Sequence, residues 1–162
     1  MKNKVVLLDR DGVINVDNEY YTYREEDFIV NEGVFETLKT LSEKGFKLAV
    51  ITNQSGIAKS LYTAMDVKRL HHSFDNKCKA LGINISGFFF CPHHPEYGNC
   101  ICRKPDSLLA EKALALLNAD ILQSWFIGDR QRDIDCGKKV GLNTILITSN
   151  QNLNTVIQQI IG

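Results

Sequence analysis

The chain has 162 residues, 44% of them hydrophobic and 23% charged, the balance of a globular chain large enough to bury one core. Its 19 Lys and Arg residues match its 19 Asp and Glu residues, and it has no dense basic run, so it lacks the charge that a dedicated nucleic-acid binder presents to phosphate. No apolar stretch approaches the roughly 20 residues that span a bilayer, and the N-terminal apolar run is too short for a secretory leader; a single cytoplasmic domain over 1–162, with neither membrane nor nucleic-acid partner, is expected.

Strand-like apolar runs alternate with helix-period segments, the pattern of an α/β fold with a mainly parallel sheet in a Rossmann-like three-layer sandwich. The first strand is predicted over 4–9 and leads directly into Asp9-Arg10-Asp11-Gly12. Two carboxylates one residue apart repel each other, a cost that makes sense if a divalent cation neutralises them and one is a nucleophile. Alone, a D-x-D-G run is more often a solvated turn. The connection over 15–31 is long and rich in Tyr and acids, as functional loops often are. Val34, Phe35, Leu38 and Leu41 then have helical spacing, stopped by Gly45.

A second strand over 46–52 ends in Thr52-Asn53-Gln54-Ser55-Gly56. Thr63 begins the next helix, with Asp66 three residues on in a capping-box arrangement and Val67, Leu70, Phe74, Cys78 and Leu81 as the apolar stripe. His71, His72 and Cys78 read as structural parts of that helix, because no metal-ligand spacing includes them. A strand over 85–90 follows, and then Cys91, His93, Cys100 and Cys102 in the pattern C-x-H-x6-C-x-C. Five cysteines, an odd number with three in one short loop, fit metal binding in a reducing compartment better than disulfides. Four such ligands close a tetrahedral structural zinc site over 91–102, in a loop with few apolar residues to fold around. The alternative is a set of ordinary buried thiols.

Arg103 and Lys104 follow at once, so a folded zinc loop would set two cations beside the cleft. The next helix is predicted over 106–118 with Leu108, Leu109, Ala113, Leu116 and Leu117 inward, then a strand over 124–129, a short helix carrying Asp133, a strand over 143–148 and a last helix over 154–161. In a parallel sheet the carboxyl ends of the strands share one edge, so Asp9 and Asp11, the 52–56 run, and Asp129 with Asp133 converge, and Lys104 lies close enough to join them. Carboxylates for a magnesium ion, with Thr52, Asn53 and Lys104 for the equatorial oxygens, are the parts of phosphoryl transfer.

These runs resemble the haloacid dehalogenase superfamily of aspartyl-phosphate enzymes, in the branch of heptose bisphosphate and histidinol phosphatases. DRDGVIN, TNQSGIA, CPHHP, CRKP and GDRQRDI match that branch in order and spacing over nearly the whole chain. The resemblance implies a fold without a separate cap domain. It makes Asp9 the nucleophile and Asp11 the general acid/base, and has magnesium held by Asp9, the main-chain carbonyl of Asp11, and Asp129. Thr52 and Lys104 become the phosphoryl-stabilising pair and Arg103 a substrate contact. It also favours His93 over His94 as the zinc ligand and places Asp17, Asn18, Glu19 and Tyr20 in the substrate-contacting loop, with Asn53, Gln54, Ser55 and Arg130 as further contacts. Glu19 stands where the branch often carries glycine, and Arg130 where a lysine is familiar.

The function so implied is magnesium-dependent removal of the C7 phosphate from a heptose 1,7-bisphosphate, for lipopolysaccharide precursors, by a monomer. Two competing expectations are a histidinol-phosphate phosphatase and a noncatalytic zinc-loop interaction module.

Overall fold

The computed structural model describes Met1–Gly162. Five parallel strands, β1 (Val5–Leu8), β2 (Lys47–Asn53), β3 (Ile85–Cys91), β4 (Trp125–Gly128) and β5 (Asn143–Leu146), form one sheet in the order β3-β2-β1-β4-β5. The helices are α1 (Val34–Glu43), α2 (Ala64–Ala80), α3 (Leu108–Leu116), α4 (Gln131–Lys139) and α5 (Ile157–Ile161). The strand order reverses at β1, so the crevice outside its carboxyl end lies at the switch point where such sheets bind ligands.

The layers follow from the period-2 alternation of a doubly covered sheet. Val6, Leu8, Leu48 and Val50 face one way, into a 21-residue cluster with Leu38, Leu41, Leu70 and Phe74 of α1 and α2. Val5, Leu7, Ala49 and Ile51 face the other way, into a 13-residue cluster with Leu109, Ala110, Ala113 and Leu114 of α3 and Cys136 of α4. At about 1.5–3 kcal/mol for each fully buried large apolar side chain, these clusters dominate the stability, and the strand ends stay free to carry polar groups. No helix is long and apolar enough to cross a membrane.

The predicted strands and helices are all present, with shifted bounds. Both halves of the capping box at α2 form, Thr63 N–H donating to Asp66 Oδ2 (2.8 Å) and Asp66 N–H to Thr63 Oγ1 (3.1 Å). His71 and Cys78 are buried in α2 while His72 is exposed, as the structural reading of that helix requires. The inward face of α3 differs from the expectation: Ala110 and Leu114 are buried and Leu116 is 74% exposed. The buried face is 109-110-113-114, and Leu116, at its flank, is the last residue of the helix, where the end of α3 leaves it uncovered. Leu81 sits beyond α2 as its C-cap and is exposed. The tail is a short 3-10 turn, Leu153–Val156, before α5.

Candidate active site

Asp9 leaves β1 with its backbone N–H still bonded to Ile127 O of β4 (3.0 Å), which aims its carboxylate into the crevice. Its Oδ1 accepts from Arg10 N–H (2.8 Å) and from Lys104 Nζ (2.8 Å). The Lys104 ammonium also donates to Ile51 O (2.9 Å) and lies 2.6 Å from Asp133 Oδ1, wholly out of solvent. Burial opposes the Lys104 charge, but Asp9 and Asp133 outweigh it and hold its pKa above the ordinary lysine value. Asn53 fixes the backbone there: its Nδ2 donates to Lys104 O (3.1 Å) and its Oδ1 accepts from Lys104 N–H (3.0 Å). Asp133 reaches this place from the first turn of α4, where its other oxygen caps the helix through Arg130 N–H (3.0 Å). Its place among the clustered acids was legible, whereas its part as Lys104's partner was not.

Asp9, Asp129 and Asp133 each bring a carboxylate oxygen within 4.8 Å of the others. Burial pushes the Asp9 carboxyl up to about 8 against the pull of Lys104, with the Asp133 and Asp11 charges on the side of burial. Asp129 is raised in the same way, by burial and by Asp133. Both oxygens of Asp129 are buried without a hydrogen-bond donor, and Arg130 Nε comes only to 3.5 Å. Three converging carboxylates, two of them on Lys104 and the third, Asp129, with oxygens lacking a donor, form a set suited to a hard divalent cation.

Asp11 behaves differently. Burial favours its neutral form, but the Arg10 charge and hydrogen bonds from Arg10, Asn15 and Gln54 prevail and hold the carboxyl below its ordinary value. Oδ1 accepts from Arg10 Nη2 (2.9 Å) and Asn15 Nδ2 (3.0 Å), and Oδ2 from Gln54 Nε2 (3.0 Å). Arg10 is 1% exposed, also donates to Thr22 O (2.7 Å), and lies beside His71, whose imidazole is driven down to about 3 by burial and by that guanidinium. No spacing or composition signals this clasp, because an Arg between two acids at a strand end looks like a solvated turn residue.

The open side of these groups is a cleft of about 490 Å³ lined by Asp11, Asp17, Glu19, Tyr20, Tyr21, Thr22, Asn53, Gln54, Ser55, Arg103, Arg130 and Arg132. Thr52 lies beneath it, buried, its Oγ1 accepting from Gln54 Nε2 (2.9 Å). Asn18 is exposed and is absent from the lining, while Tyr21, Thr22 and Arg132 enter it unanticipated. Asp17 is fixed by Asn150, which accepts from its N–H (2.7 Å) and donates to its carbonyl (3.1 Å), and by Arg130 Nη2 (3.1 Å). Glu19 adopts φ of 63°, a left-handed conformation that costs a side-chain-bearing residue energy and that glycine would adopt freely.

Cys91, His93, Cys100 and Cys102 draw their ligand atoms together, within 4.8 Å of one another. His93 Nδ1 lies 3.4 Å from Cys91 Sγ and 3.1 Å from Cys102 Sγ, and the Cys91–Cys100 and Cys91–Cys102 sulfurs are 3.8 and 3.0 Å apart. Tetrahedral zinc with bonds of about 2.3 Å to sulfur spaces its sulfurs by about 3.8 Å, so the cluster matches in ligand type and nearly in size. His94 turns away, its Nδ1 accepting from Glu96 N–H (3.2 Å) as the cap of a short 3-10 turn. Arg103 Nη1 donates to His93 O (3.4 Å), tying the cluster to the cleft.

Curated relatives decide the kinship. A D-glycero-beta-D-manno-heptose-1,7-bisphosphate 7-phosphatase of Helicobacter pylori is 43% identical over 90% of this chain and 84% of its own length. One from Neisseria meningitidis is 33% identical over 96% and 82%. The chain belongs to this heptose bisphosphate phosphatase family. The HAD-hydrolase-like family model matches residues 101–160, the part holding Lys104, Asp129 and Asp133. Among solved structures of the family, a D,D-heptose 1,7-bisphosphate phosphatase from B. bronchiseptica complexed with magnesium and phosphate superposes with a TM-score of 0.84, at 26% identity over 96% of this chain and 86% of that one.

Proposed function

We propose that the protein is a magnesium-dependent phosphatase that removes the C7 phosphate of D-glycero-D-manno-heptose 1,7-bisphosphate through an aspartyl phosphate on Asp9, serving lipopolysaccharide precursor synthesis. The observation that carries this reading is the buried Asp9–Lys104–Asp133 cluster beside an undonated Asp129, at the base of an arginine-rimmed cleft. The reading includes residues 1–162 acting as one catalytic unit, a cytoplasmic monomer.

In this reading an oxygen of Asp9 attacks phosphorus, and the bond to the C7 oxygen breaks. Asp11 gives that oxygen its proton, and then takes one from the water that attacks the aspartyl phosphate, releasing inorganic phosphate and free Asp9. Asp11 rests as a carboxylate, and the negative charge of the arriving phosphate favours its taking the proton that the first step needs. Lys104 and Thr52, both buried beneath the cleft, stabilise the equatorial oxygens from a place where such charges act strongly. Magnesium would be held by the Asp9 and Asp129 carboxylates and the main-chain carbonyl of Asp11, where it would offset phosphate charge and fix the line of attack. Zinc would be held by Cys91, His93, Cys100 and Cys102, a closed set that supports architecture.

For the substrate, Arg103 and Arg130 would bind phosphate, and Asp17, Glu19, Tyr20, Asn53 and Ser55 would contact the sugar, with Asn18 outside the lining and the Gln54 amide engaged by Asp11, Thr52 and Tyr62. The test is a phosphate-release panel with magnesium, containing both anomers of the heptose bisphosphate and histidinol phosphate. The reading expects a bisphosphate to be preferred by at least about a hundredfold; a preference for histidinol phosphate would replace it with the histidine-pathway assignment.

A further inference from the structure

Gln54 lines the cleft, yet its amide is fully committed within the protein. Nε2 donates to Asp11 Oδ2 (3.0 Å) and Thr52 Oγ1 (2.9 Å), and Oε1 accepts from the Tyr62 hydroxyl (2.7 Å). An ionised carboxylate only accepts, so the NH2 end must face Asp11 and the carbonyl end must face Tyr62. Asp11 sets which way the amide points, and the Tyr62 hydroxyl anchors its carbonyl end. The Tyr62 ring is itself held: a Cβ on Gly56 would overlap it, and Tyr23 stacks on it with centroids 5.0 Å apart and planes 13° apart. Tyr21 packs against the same ring at 5.9 Å, and Tyr20 against Tyr21 at 5.6 Å. A second strand of contacts runs in parallel, because Arg10 Nη2 binds both Asp11 Oδ1 and Thr22 O.

We infer that Tyr62 is a positioning residue: through Gln54 it sets the orientation of the Asp11 carboxyl, and through Tyr21 and Tyr23 it couples that orientation to the seating of the 15–31 loop that lines the cleft. This rests on the proposed phosphatase reading, in which Asp11 protonates the leaving oxygen. Without the hydroxyl, Gln54 Oε1 loses its buried donor, the amide is held at its NH2 end alone, and the donor that keeps Asp11 Oδ2 in line is less firmly placed. The reaction then suffers only where a proton must reach the leaving oxygen. An alkoxide needs that proton, whereas p-nitrophenolate departs without it.

The experiment compares wild type, Tyr62→Phe and Gln54→Leu, each loaded with magnesium and zinc, on heptose 1,7-bisphosphate and on p-nitrophenyl phosphate. kcat/KM is read because it reports the first irreversible step. Tyr62→Phe is expected to lose about tenfold on the sugar phosphate, a fraction of what a general acid contributes, and less than about twofold on p-nitrophenyl phosphate. Gln54→Leu, which removes the link itself, is expected to lose at least as much as Tyr62→Phe on the sugar phosphate. Equal losses on both substrates, or none on either in Tyr62→Phe, would overturn the inference while leaving the phosphatase reading intact. A wild type inactive on both substrates would instead overturn that reading, and the inference with it.

Discussion

Lys104 Nζ lies 2.6 Å from Asp133 Oδ1, with both side chains sealed from solvent beneath the cleft. The ammonium that faces Asp9 is therefore held from behind by a second acid, and its position depends on a residue that never meets substrate. Asp133→Ala leaves a buried cation short of a partner and removes the α4 cap. The expected cost is about 3–5 kcal/mol in urea unfolding, with turnover lower by at least about a hundredfold through displacement of Lys104.

Asp9→Asn is expected to abolish turnover while the far-ultraviolet circular dichroism and zinc content stay unchanged, because an amide cannot form the acyl phosphate. Mass spectrometry of wild type quenched in acid should find a phosphoryl group on Asp9, and none in the variant. Substantial activity in the variant would remove Asp9 from the nucleophile role.

The same substitution carries a pH signature. With its pKa at about 8 when folded and near 3.8 when unfolded, Asp9 keeps its proton longer in the native state, so stability from this group falls as pH rises through that window. In magnesium-free buffer that leaves zinc in place, the melting temperature of wild type should drop between those pH values more steeply than that of Asp9→Asn. Magnesium should restore wild type at the upper end, since a bound cation favours the carboxylate. Parallel curves for the two proteins would show that Asp9 does not carry the effect.

Removing zinc, or changing Cys100→Ser, should disorder the 91–102 loop, which has little apolar core of its own. Arg103, bonded to His93 O, then loses its seat, and KM for a sugar bisphosphate should rise about tenfold or more, unrelieved by added magnesium. Metal analysis of protein purified without added metal checks the premise. A change in thermal stability with kcat/KM unaltered would make the loop a remote staple.

Much of this was legible because the chemistry is specific to residue type. Asp9, Asp11 and Asp129 stand at strand ends, and Cys91, His93, Cys100 and Cys102 in a metal-ligand spacing, and the apolar alternation of β1 and β2 fixes which edge the acids occupy. The remainder depended on where long side chains travel. Arg10 reaches Thr22 O, and Tyr62 reaches Gln54 only because the chain between them folds back over Gly56. Neither contact leaves a period or spacing in the sequence. Leu116 shows the converse failure, a leucine with inward spacing that is left exposed because the helix ends at it.

The most direct test follows heptose 1,7-bisphosphate by phosphorus NMR in the presence of the magnesium-loaded protein. The account predicts that the C7 phosphomonoester signal is replaced by inorganic phosphate while the anomeric C1 phosphate persists, and that Asp9→Asn leaves both signals in place. Loss of the C1 phosphate first, or turnover undiminished in Asp9→Asn, would contradict it.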